Sequence, residues 1–134
     1  MTRLPILVAA LLVFGCAHSL PRPSDASVAA ARKAVPRGAR IFNLYCAHCH
    51  GEEGNAPGIP PVMGPGALRA MPGRETALEL FRYNEARMPP GGRAASGLDR
   101  SDYWAVTEYL VRVAQRPLSG PLDERNAASV SLSP

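Results

Sequence analysis

Three residues within a run of five carry most of the chemistry in this chain: Cys46, Cys49 and, directly after it, His50. Two thiols three positions apart lie along one side of a helical turn, where both can form thioethers to the two vinyl groups of one porphyrin. The next residue then stands under the iron as an imidazole ligand. The spacing Cys-x-x-Cys-His is therefore the pattern of covalent haem attachment, with His50 as proximal ligand and His48 as a solvent-facing spacer. Other uses of such a pair fit less well. A structural zinc site wants a second ligand pair, yet the remaining cysteine, Cys16, and the remaining histidine, His18, both stand near the start of the chain. A thioredoxin-like pair wants a strand and a βαβ setting, and no alternating strand pattern of useful length is present.

A haem iron held by one histidine has a second axial position, for which thioether sulfur is a suitable donor. Met63, Met71 and Met88 are the candidates, Met1 being removed with the leader. A lone methionine is more often core filler than ligand, so the haem motif is what gives these residues weight.

Helices must position the motif. Pro36 at a helix start, followed by Ile41, Phe42 and Tyr45 at helical spacing, predicts a helix that delivers the chain straight into Cys46. From Gly51 to Gly73 the chain is rich in Pro and Gly and reads as a long irregular loop. Good helix formers return over residues 74–86, with Leu78 and Phe81 on one face, and stop before Pro89-Pro90-Gly91-Gly92. A last helix is expected from about Asp99, with the stripe Tyr103, Val106, Leu110 and Val113, and Tyr109 beside it. Tyr83 and Trp104 read as packing residues on helix faces. Arg69, Arg74 and Arg87 read as solvated surface arginines, with contact to haem propionates as the alternative.

Outside this unit the sequence changes character. Residues 1–15 begin with a charge at Arg3, continue through an apolar run that is too short for a membrane span of about 20 residues, and end before Cys16; this is the layout of a signal peptide. Val13-Phe14-Gly15-Cys16 resembles a bacterial lipobox, which implies lipidation of Cys16. Residues 16–35, rich in Ala, Pro and Ser, read as a tether in which an exposed helix over residues 24–34 is allowed. Residues 117–134 read as a mobile tail, which leaves residues 36–116 as the working domain.

Composition agrees with a small domain built around a cofactor. In 134 residues there are 14 Pro and 12 Gly but only 6% aromatics, so the apolar core is modest, and a buried haem would supply much of what is missing. The net charge of +4 arises from scattered residues rather than a basic stripe, which argues against nucleic acid as a partner and allows a mild preference for acidic protein surfaces.

At this point the chain resembles class I cytochrome c, over essentially all of residues 36–113. The resemblance implies a small all-α cytochrome c fold, with about three core helices around one covalently bound haem c and a long Pro/Gly-rich loop. It implies that Gly38 and Phe42 on the first helix pack against Tyr109 on the last, Tyr109-Leu110 being similar to the family's terminal aromatic-Leu pair. It favours Met88, in Arg87-Met88-Pro89-Pro90-Gly91, as the distal ligand, because the family carries its ligand Met in a loop between the middle and last helices. Met71-Pro72 lies before the middle helix and is the competitor, while Met63 is expected to pack on the ring. The loop Ile59-Pro60-Pro61 resembles the one that offers a backbone carbonyl to the proximal histidine, a bond that fixes the ring's orientation and basicity.

The function implied is electron transfer by a haem cycling between Fe(III) and Fe(II), by a non-enzymatic carrier or subunit of a membrane-associated redox chain. Its partners would be redox proteins at the periplasmic side of a bacterial membrane, with no small-molecule substrate. The alternative is a haem enzyme or gas sensor with an open sixth position; no histidine follows His50 to serve as a polar distal group.

Overall fold

The computed structural model describes residues 22–68 and 73–133. The signal segment, Cys16, Arg69 and Met71 lie outside the described residues.

The described chain is helical. In order come α1 (Asp25–Ala34), α2 (Pro36–Ile41), a wide π turn (Phe42–Cys46), α3 (Ala47–His50), α4 (Ala77–Arg87), α5 (Gly92–Ser96) and α6 (Arg100–Val113), followed by a short 3₁₀ turn (Ala127–Ser129). A lone antiparallel bridge pairs Thr76 with Ser131. Among the described residues no helix is long and apolar enough to cross a membrane.

Local chemistry sets the helix ends. Pro36 opens α2 at a position where its missing N–H costs nothing. Thr76 and Glu79 form a reciprocal capping box at the start of α4, and Asp99 and Asp102 do the same for α6. The helix expected to run unbroken into Cys46 instead widens: the Ala47 N–H reaches back five residues to the Phe42 carbonyl. That added residue lets Phe42 face α6 while the cysteine motif faces another way, a common use of a π turn beside a functional site.

Helix α6 is the spine, packed by α1, α2 and α4. Phe42 meets Tyr109 with ring centroids 5.9 Å apart at 50°. Gly38 sits directly on α6, where an added Cβ would come within 2.7 Å of the Ala105 carbonyl carbon and 2.9 Å of the Tyr109 Cβ. The expected trio of Gly38, Phe42 and Tyr109 is thus the α2–α6 contact. Phe81 and Trp104 stack at 3.7 Å and 7°, joining α4 to α6, so Trp104 is a packing residue as read.

Two segments differ from the sequence reading. Residues 25–35 are not simply a tether, because α1 buries Ala31 and Val35 in the main core beside α6. Nor is the stretch after residue 116 a loose tail: Leu122, Ala127 and Leu132 are buried with Leu68, Ala77, Leu80, Val111 and Ala114 in a second core cluster. Small or widely spaced apolar groups do this burying, which is why no stripe advertised them.

Candidate haem site

The motif enters from the π turn and α3. Cys46 and His50 are half-buried, and Cys49 and His48 are exposed. Gly51 ends α3 with φ of 78°, a left-handed conformation that glycine adopts without strain, and the chain then folds back so that the Ala56 N–H bonds the His50 carbonyl at 2.8 Å. A bond from the Val62 N–H to the Gly54 carbonyl, 2.8 Å, closes the next loop and carries Ile59 and Pro60 to the imidazole.

These groups share a cavity of about 380 Å³. Cys46, Cys49 and His50 line it together with Ile59 and Pro60; Met88, Pro89 and Pro90 come from the loop after α4; Leu98, Tyr103, Val106 and Leu110 come from α6 and the turn before it. Met88 is half-buried, directly after the end of α4, with its N–H on the Asn84 carbonyl at 2.9 Å. Met63 is not on this wall. It is buried in the main core, packed on Gly54, where an added Cβ would come within 2.7 Å of its Cβ; the expectation that it packs on the ring is corrected, since Gly54, with no side chain, leaves room for it within that core.

Burial is the first cause of the pKa shifts of both Cys46 and His50. Burial, then the neighbouring Cys49, pushes the Cys46 thiol up to about 12, so its proton stays on sulfur at neutral pH. Burial lowers the His50 pKa below its ordinary value, and the Pro60 carbonyl pulls the other way. The Pro60 carbonyl therefore stands where the sequence reading looked for it, although the buried Nδ1 lacks a hydrogen bond of ordinary geometry. An uncharged imidazole in an apolar cavity, beside two free thiols, is a donor set suited to haem iron and porphyrin vinyl groups.

A family model described as cytochrome C oxidase, cbb3-type, subunit III matches residues 33–110. The chain belongs to this cytochrome c family. The match spans α2, the cysteine motif, the cavity and most of α6, so the all-α fold of a monohaem class I-like cytochrome c is that of this chain, and haem-mediated electron transfer is its function. Curated proteins and solved structures give no match.

Asn84 and Leu80 are among the cavity residues of the cytochrome that escaped the sequence reading as site residues. Asn84 is buried and lines the cavity, its side-chain N–H₂ donating to the Thr107 hydroxyl at 3.2 Å. Leu80 shares its face one turn earlier; the spacing Leu80, Asn84, Met88 is a helical stripe that a search outward from Met88 would have found. Arg74 and Tyr83 also line the cavity, the guanidinium 3.4 Å from the ring centroid in a cation–π contact.

Proposed function

We propose that the cytochrome holds one haem through thioethers to Cys46 and Cys49, with His50 and Met88 as axial ligands, and works as a closed, non-enzymatic one-electron carrier. The observation that carries this reading is the shared cavity: the cysteine motif on one wall and Met88 on the loop after α4, with apolar side chains between. When bound, haem supplies an Fe(III)/Fe(II) couple whose potential a Met/His ligand pair raises.

The residues of this chain do the rest. Burial lowers the His50 pKa and so keeps its lone pair free of a proton, with the Pro60 carbonyl beside the ring. Met88 is anchored by its bond to the Asn84 carbonyl, and Asn84 is itself tied to α6 through Thr107. Leu98, Val106 and Leu110 give the cavity an apolar lining. A frame held this way needs little rearrangement when one electron arrives or leaves.

The partners in this reading are redox proteins of a membrane oxidase, met near the cavity rim, where Leu44 is 68% exposed and Tyr45 39% exposed beside the motif. Its location is the periplasmic side of a bacterial membrane, held by a lipid on Cys16 and the segment that follows; the support is the signal-like leader and the lipobox-like residues before Cys16. Such a tether raises the carrier's effective concentration near its partners.

Carbon monoxide tests the closed site. The reduced, haem-loaded cytochrome is expected to leave its visible spectrum unchanged under CO at neutral pH. Rapid CO binding by the wild type would instead place it among open-site haem proteins.

A further inference from the structure

The chain continues beyond the family match, and the continuation grips the cavity wall from behind. After α6 the backbone reverses at Gln115, which has φ of 58°. The Arg116 guanidinium then donates to the Pro65 carbonyl at 3.4 Å. Farther on, the Leu132 N–H bonds the Glu75 carbonyl at 2.8 Å and the Ala77 N–H bonds the Val130 carbonyl at 3.0 Å, so both sides of Thr76 are held as a short piece of ladder. Between these points Glu108, on α6, accepts the Leu122 N–H at 3.1 Å through one carboxylate oxygen and Arg112 through the other, and Arg112 also donates to the Gly120 carbonyl at 3.1 Å.

Apolar packing adds to these bonds. Leu122, Ala127 and Leu132 are 4%, 0% and 1% exposed, and they bury Leu68, Ala77 and Leu80. Leu80 has two sides in use, one on this cluster and one on the cavity. Arg74, whose neighbour Glu75 is bonded by Leu132, lines the same cavity over Tyr83.

We propose that residues 116–133 form a clasp that positions the Arg74, Leu80 and Tyr83 wall of the haem cavity and so sets the haem's reduction potential, with Leu122 and Leu132 as its anchors. The inference rests on the proposed haem site. Releasing the clasp lets water reach that wall, and water favours the more highly charged ferric form, so the potential falls.

The test uses the full-length, haem-loaded cytochrome. Leu132→Ala, alone and with Leu122→Ala, is compared with Arg125→Ala, which is 91% exposed at its side chain, and with Ala31→Gly, which loosens α1 in the other core cluster. Spectroelectrochemistry reads the potential, and hydrogen exchange reads the Ala77 and Leu132 amides. The expected result is faster exchange at both amides and about a tenfold rise in the ferric/ferrous ratio at fixed poise, about 59 mV for one electron, with neither control moving the potential. An unchanged potential in the double variant overturns the clasp, as does an equal drop in Ala31→Gly, which marks a general loss of stability. If Leu132→Ala loads no haem while Arg125→Ala loads normally, Leu132→Val supplies the potential and is held to the same two outcomes. Failure of the haem site itself is separate: the wild type would then hold no covalent haem.

Discussion

Gly38 of α2 rests on the backbone of Ala105 in α6, with no space between them for a side chain. The contact fixes how closely the two helices cross, and therefore where Phe42 meets Tyr109 and where the π turn releases the cysteine motif toward the cavity. Backbone is what a new Cβ would meet, and backbone cannot swing aside as the end of a long side chain can. Gly38→Ala is therefore expected to destabilise the cytochrome by about 3 kcal/mol or more, at the high end of overpacking, and to lower haem loading. Urea unfolding of the haem-loaded protein measures it; a loss near zero would mean that the helices separate freely there.

Met88 and Met63 differ in what surrounds them, and their variants should differ in kind. Met88→Ala removes the sulfur on the cavity wall, so the reduced protein should bind CO while keeping its fold. Met63→Ala removes a side chain only 1% exposed in the main core, so it should lose about 2–5 kcal/mol yet stay closed to CO. Met71→Ala should also stay closed. CO binding by Met71→Ala but not by Met88→Ala would reverse the ligand assignment.

Acid should loosen α4 and α6 at their starts. The Ser101 hydroxyl, then the Asp102 amide, holds the Asp99 carboxyl below its ordinary 3.8, and the Glu75 and Thr76 amides hold Glu79 below its ordinary 4.5. In both cases the unfolded chain takes up its proton at a higher pH than the folded one. Their contribution is thus fully present above the unfolded values and is lost as pH falls through the lower, folded ones. Urea midpoints taken from about pH 6 to about pH 3 should fall, and Asp99→Asn, which keeps a capping oxygen but cannot titrate in this range, should flatten the slope. An unaltered slope in Asp99→Asn would remove Asp99 from the acid response.

Much of this was legible before any coordinates. The motif and the order of helix, Pro/Gly loop, helix, Met loop and helix all depend on local signals: Pro36 as a start, the Asp99 cap, the stripe on α6, the prolines after Met88. What could not be read is packing by small or scattered groups. Ala31 and Val35 bury α1 without a wide apolar face, and Leu122, Ala127 and Leu132 are spread among Pro, Ser and Asn in a stretch with the composition of a loose tail. Met63 was misplaced for a related reason. Closeness to His50 along the chain said nothing about the close contact with Gly54 that seats Met63 in the core.

The central claim is that Cys46, Cys49 and His50 hold a haem covalently, and acid–acetone extraction followed by intact mass analysis tests it most directly. For protein made in a host with cytochrome c maturation, the account predicts one haem per chain that resists extraction. It further predicts that Cys46→Ala or Cys49→Ala leaves a single thioether, seen as a shifted pyridine haemochrome spectrum, and that the double variant gives up its haem to the solvent. A wild-type chain whose haem extracts freely, or whose mass shows none, would contradict it.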